Sequence, residues 1–138
     1  MRTLALDVGD KRIGVAISDP MGILASPLTA IERTSDSRAI DAILEIADEQ
    51  EAGEIVVGLP VSLSGGYSEQ TKSVAAFVLK LEARSPVPVK TADERYSTVE
   101  AERLLSQSNP KRVRSRGEID AAAAAVILQS YLDAQGSG

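Results

Sequence analysis

Residues Met1 to Asp19, MRTLALDVGDKRIGVAISD, decide the fold. Leu4, Leu6 and Val8 alternate with Thr3, Ala5 and Asp7, turn-like residues follow from Gly9 to Arg12, and a second run extends from Ile13 to Ser18. That pattern predicts a β-hairpin in which Asp7 lies opposite Gly14. A glycine there predicts open space beside the carboxylate, room for a metal ion or a phosphate to come close to the backbone. Taken alone, an Asp-x-Gly is more simply a solvated carboxylate at a strand end. The rest of the chain has to decide.

Outward from the hairpin, Ile23 to Glu32 is broken by Pro27, which suits an edge strand. Ser35 or Asp36 can cap a helix whose Ile40, Ile43, Leu44 and Ala47 form one apolar stripe. Glu54 to Gly58, EIVVG, reads as a strand buried on both faces, and Ser62, Ser64, Gly65 and Gly66 mark a loop. Thr71, Val74, Phe77, Val78 and Leu81 predict a second amphipathic helix, and Pro86 to Thr91 a further strand. Ser97 and Glu100 have capping-box spacing, and the last helix is expected from about Gly117 through Glu118 to Leu132, with an alanine block at Ala121 to Ala125. The expected fold is α/β: three antiparallel strands, then strands alternating with helices, in a mixed sheet flanked by helices. Residues 1–138 read as a single domain with a disordered tail over about 134–138.

The composition narrows the chemistry. The 138 residues are 43% hydrophobic and contain neither cysteine nor histidine. Thiol catalysis and thiolate metal sites are excluded, as are imidazole bases and ligands. Hydrolysis would rest on carboxylates, Lys, Ser, Thr, Tyr or bound ions. No signal pattern and no membrane-length apolar run is seen, so a cytoplasmic location and no membrane partner are expected. The net charge is −5, yet Lys111, Arg112, Arg114 and Arg116 concentrate positive charge in one short stretch. Such a stretch is commonly a solvated loop.

Three acidic residues lie at the edges of apolar elements: Asp7 ends the first strand, Glu94 follows the strand at Pro86 to Thr91, and Asp120 opens the last helix. Carboxyl ends of parallel strands face a common crevice, and the alanines would let the helix press close enough for Asp120 to join the other two. Each has a plainer reading: Asp120 suits a helix N-terminus, Glu94 with Arg95 makes a surface pair, and Ser97 and Thr98 are caps first. Clustered carboxylates repel unless a cation neutralises them. An all-oxygen donor set favours Mg²⁺ or Mn²⁺, which activate water and stabilise the leaving oxygen in phosphodiester hydrolysis. Lys11, Arg12, Arg95, Arg114 and Arg116 would flank such a site and receive a phosphate backbone.

The run Asp7-x-Gly9-x-Lys11-Arg12-Ile13-Gly14-Val15-Ala16-x-Ser18-Asp19, then Val57-Gly58-Leu59-Pro60, Asp93-Glu94-Arg95-x-Ser97-Thr98 and Asp120 with Ala122 and Ala123 resembles the YqgF/RuvX family of pre-16S rRNA nucleases. The resemblance extends from Thr3 to about Tyr131. It implies an RNase H-like fold with a mixed five-stranded sheet and metal-dependent endonuclease activity that trims the 5′ end of the small-subunit rRNA precursor. It also implies an acidic triad, catalytic and metal-binding, at Asp7, Glu94 and Asp120; Ser97 and Thr98, caps first, are expected as secondary substrate contacts. Two departures stand out: Ser64-Gly65 where relatives often have Asp-Gly, and Arg116-Gly117-Glu118 where they often have Lys-Gly-Lys. Glu118 adds a negative charge near the expected phosphate path. Asp93, Asp10 and Asp19 are weaker candidates for a fourth carboxylate.

Other functions fit parts of the pattern. Resolution of four-way DNA junctions would use the same carboxylates and a homodimer, since paired nicks need two sites. An actin-like ATPase or sugar kinase also opens with Asp-x-Gly at a hairpin, but needs two such lobes. A non-catalytic nucleic-acid-binding module would not need all three acids.

Overall fold

The computed structural model describes residues 1–60, 68–94 and 115–136. Five strands, β1 (Arg2–Val8), β2 (Arg12–Ser18), β3 (Ala25–Glu32), β4 (Ala52–Pro60) and β5 (Val89–Glu94), form one sheet in the order β3-β2-β1-β4-β5. β1 pairs antiparallel with β2 and β2 with β3, whereas β4 runs parallel to both β1 and β5. The helices described are α1 (Asp36–Glu49), α2 (Glu69–Arg84) and α3 (Arg116–Gly136).

Alternation along β1 sends its residues to two different layers. Leu4, Leu6 and Val8 join Ile40 and Ile43 of α1 and Val74, Phe77 and Leu81 of α2 in the larger core. On the other face Ala5 and Ala16 meet Ala124, Leu128 and Leu132 of α3. At Ala5, Ala16 and Ala124 small residues on both sides let the first half of this helix lie close to the sheet, and the larger Leu128 and Leu132 follow farther along it. Ser35 caps α1 by accepting from the Arg38 amide, and Ser68 with Thr71 forms a capping box on α2.

Pro27 sits on the edge strand as its missing N–H requires, at a register shift where Ala16 pairs with Pro27 but Val15 with Thr29. β1 ends at Val8, not Asp7, β2 to β4 differ by one or two residues at their ends, and β5 and the last helix differ in ways that bear on the site. β5 begins at Val89, because prolines cannot donate to a ladder; the Pro88 carbonyl serves only as acceptor for the Ile55 amide, at 2.9 Å. It continues to Glu94, in register with Pro60, so Glu94 ends the strand instead of following it. α3 runs to Gly136, with helix at 134–136 where disorder is expected; Gln129 donates to Asp133 one turn on, at 3.0 Å. The helix expected from Ser97 and the loop at Ser62 to Gly66 lie outside the described residues.

Candidate functional site

Asp7 is paired with Gly14, as the hairpin pattern predicts. The expectation of open space at Gly14 is corrected. A Cβ built there would lie 1.9 Å from the Asp120 carbonyl oxygen and 2.3 Å from its carbon. The glycine admits the backbone of α3, not a ligand. This close approach is what brings the start of α3 to the end of β1: Asp7 lies on the same face as Ala5, the face α3 covers.

The side chain of Asp120 is fixed in turn. Arg12, the first residue of β2, donates from Nε to Asp120 Oδ2 at 2.7 Å, and both side chains are about a quarter exposed (24% and 26%). Arg12, expected as a substrate contact, is therefore engaged with an expected metal ligand. Charge-assisted bonds of this geometry are stronger than neutral ones, and partial burial protects them from salt. Lys11 and Arg116 are exposed, as phosphate contacts would need to be. Ser115 caps α3 by accepting from the Glu118 amide at 3.1 Å, and its hydroxyl donates to Glu118 Oε1 at 3.4 Å.

Glu94 ends β5 beside the end of β4, at the same carboxyl edge of the parallel strands as the end of β1. Among the described side chains no three carboxylates converge as a metal site. Arg95, Ser97, Thr98 and Arg114 lie outside the described residues. Of the weaker acids, Asp19 is committed to a turn: its carboxylate accepts the amides of Ile23 at 2.7 Å, Leu24 at 2.8 Å and Met21 at 3.2 Å. Those bonds, that from Leu24 foremost and then that from Ile23, hold its carboxyl below the usual carboxylate range. Asp10 and Asp93 are exposed.

Two features escape sequence reasoning. A groove of about 480 Å³ runs between β3 and the start of α3, lined by Arg12, Leu28, Thr29, Glu32 and Glu118 among others. Arg33, which follows β3, donates from Nη1 to the Gly9 carbonyl at 2.9 Å, behind the hairpin loop. Neither has a signal in spacing or periodicity, since both join residues distant along the chain.

This strand order, with a covering helix that carries an acidic residue to the end of the central strand, defines the RNase H-like class. Over its whole length the fold is like Thermus thermophilus RuvC (TM-score 0.62, 14% identity, 99% of this chain and 97% of that one). It is equally like the fowlpox virus Holliday junction resolvase (TM-score 0.62, 13% identity, 97% and 99%). A family model described as "RuvX: Holliday junction resolvase" matches residues 1–134. A protein of Desulforudis audaxviator (strain MP104C) named "Putative pre-16S rRNA nuclease" is 46% identical over 138 residues, covering 100% of this chain and 98% of the relative. A relative of the same name from Desulforamulus reducens is 44% identical over 133 residues, 96% of this chain and 97% of its own length. The chain belongs to the RuvX family. The family model and these relatives carry the names of nucleases, hydrolases acting on ester bonds. No helix among the described residues is long and apolar enough to cross a membrane.

Proposed function

We propose that this protein is a metal-dependent endonuclease that cuts structured RNA in the cytoplasm, trimming the 5′ end of the 16S rRNA precursor. The observation that carries the reading is the seating of α3 on Gly14, the cross-strand partner of Asp7, which holds the start of α3 and its Asp120 against the end of the hairpin. The names of the full-length relatives point to the substrate.

The donor set suits a hard cation. Asp7, Asp120 and, at the end of β5, Glu94 offer oxygen only, and the chain has no histidine or cysteine to recruit zinc. Arg12 takes one lone pair of the Asp120 carboxylate, which would keep others for an ion. Mg²⁺ or Mn²⁺ held by these three residues would supply an activated water and stabilise the leaving oxygen. The chain's own part is placement. Arg12 keeps the Asp120 carboxylate oriented, so less reorganisation is needed when substrate arrives. Exposed Lys11 and Arg116 meet the phosphate backbone, joined by Arg95, Ser97, Thr98 and Arg114 from the segment that follows β5.

The test compares precursor 16S rRNA with a four-way DNA junction, each with Mg²⁺, Mn²⁺ or chelator, using wild type and Asp7→Asn. Cleavage of the RNA that needs the metal and disappears in the variant supports the reading. Undiminished cleavage by pure Asp7→Asn protein refutes the site.

Junction resolution is the second reading, favoured by the description of the family model that matches residues 1–134, a Holliday junction resolvase. It needs a homodimer, because paired nicks require two sites. Symmetric cutting of the junction by a stable dimer would select it, and a monomer confined to RNA would remove it.

A further inference from the structure

The loop between β1 and β2 begins two residues after Asp7, past Val8, and only Gly9, Asp10 and Lys11 span it. Its ends are closed by the Gly9 amide donating to the Arg12 carbonyl at 2.9 Å. Two of the loop's carbonyls, those of Gly9 and Lys11, are both taken by one residue. Arg33 donates from Nη1 to the Gly9 oxygen at 2.9 Å and from its backbone amide to the Lys11 oxygen, also at 2.9 Å.

Arg33 is itself held on two further sides. Its Nε donates to Asp36 Oδ1 at 3.1 Å, and its guanidinium lies over the Phe77 ring, 5.1 Å from the centroid. The side chain is only 15% exposed. Asp36 lies in the first turn of α1 and pairs with Lys80 of α2 at 2.9 Å, while Phe77 belongs to the larger core. The loop is thus tied to both helices of the layer opposite α3. A planar fork can serve a carbonyl, a carboxylate and a ring face at once, which an ammonium cannot.

We propose that Arg33 is a positioning residue for the nuclease reaction: it fixes the Asp7 loop from behind, so that Asp7 and the Arg12–Asp120 pair keep their relation while substrate pulls on Lys11. The proposal rests on the metal-dependent nuclease reading. Arg33 lies on the far side of the loop carbonyls and acts through Asp7 and Arg12, without touching substrate. Small displacements of reacting groups are costly in rate, so the effect should fall on the chemical step and not on binding.

The test uses full-length Arg33→Lys and Arg33→Gln, with Arg84→Lys as control. Arg84 also ties α2 to α1, through Asp41 and the Ser37 carbonyl, but has no contact with the loop. Amide exchange, Mn²⁺ affinity and single-turnover RNA cleavage are measured on each. In both Arg33 variants the Gly9 amide should exchange about tenfold faster or more, with helix amides unchanged. Mn²⁺ affinity should fall, and the cleavage step should slow by about tenfold to hundredfold at unchanged KM. Arg84→Lys should match wild type. Unchanged Gly9 exchange overturns the proposal, as does a faster loop with full cleavage, a change confined to KM, or failure of both Arg33 variants to fold. If wild type cuts neither RNA nor DNA, the nuclease reading fails separately, and exchange with Mn²⁺ affinity still decides whether Arg33 orders the loop for the ion.

Discussion

The carbonyl oxygen of Asp120 lies 1.9 Å from where a side chain at Gly14 would begin. Both partners are backbone, so neither can swing aside. Gly14→Ala should force α3 off the sheet and destabilise the protein by about 1–3 kcal/mol or more, the usual range for overpacking. Urea unfolding measures the loss. Because the same contact sets Asp120 beside the end of β1, cleavage should fall along with stability, not ahead of it.

Arg12 competes with any cation for Asp120. Arg12→Gln removes a positive charge 2.7 Å from the carboxylate, so Mn²⁺ should bind several-fold more tightly, as expected when a like charge leaves an ion's neighbourhood. RNA cleavage should nevertheless slow, because the carboxylate loses its orientation. Calorimetric Mn²⁺ titration beside single-turnover cleavage would show the two effects moving in opposite directions.

The hairpin, the edge position of Pro27 and the two-layer packing were legible because alternation and helical stripes are local signals. So was the pairing of Asp7 with Gly14. What fills the space at Gly14 was not, since strand periodicity says which residues oppose each other and nothing about the element laid across them. Gly14 and the start of α3 are two halves of one contact, the backbone of Asp120 and Ala121 on the helix and a missing side chain on the strand, separated by most of the chain. The start of β5 is displaced from the expectation for a related reason: apolar content at Pro86 to Thr91 suggests a strand, but Pro86 and Pro88 have no N–H and the Val87 amide is taken by the Ser85 hydroxyl, at 3.2 Å, outside the ladder. Arg12 looked free for substrate because its partner lies 108 residues away.

α3 is also secured at its other end by a buried carboxylate. Glu54, 5% exposed, receives bonds from Thr3 at 3.0 Å and Tyr131 at 3.2 Å and pairs with Lys90 at 3.0 Å. Hydrogen bonding to Glu54 raises Lys90 above 10.5, and burial, then the Glu54 charge, raises Tyr131 above 10.0. Raised values mean that the stabilising protonated forms persist below those pH values and are lost on titration above them. Urea stability should therefore lose these contributions as pH rises beyond about 10.0. Tyr131→Phe should cost about 1 kcal/mol at neutral pH, one hydrogen bond's worth, and blunt the alkaline fall.

Under the proposed function, Asp7 and Asp120, which both adjoin Gly14, share a divalent cation. Mn²⁺ binding followed by electron paramagnetic resonance in wild type, Asp7→Asn and Asp120→Asn tests it without reference to any substrate. Wild type should bind the ion, and each variant, folded as judged by circular dichroism, should lose that binding. Wild-type affinity retained in either folded variant would contradict the account.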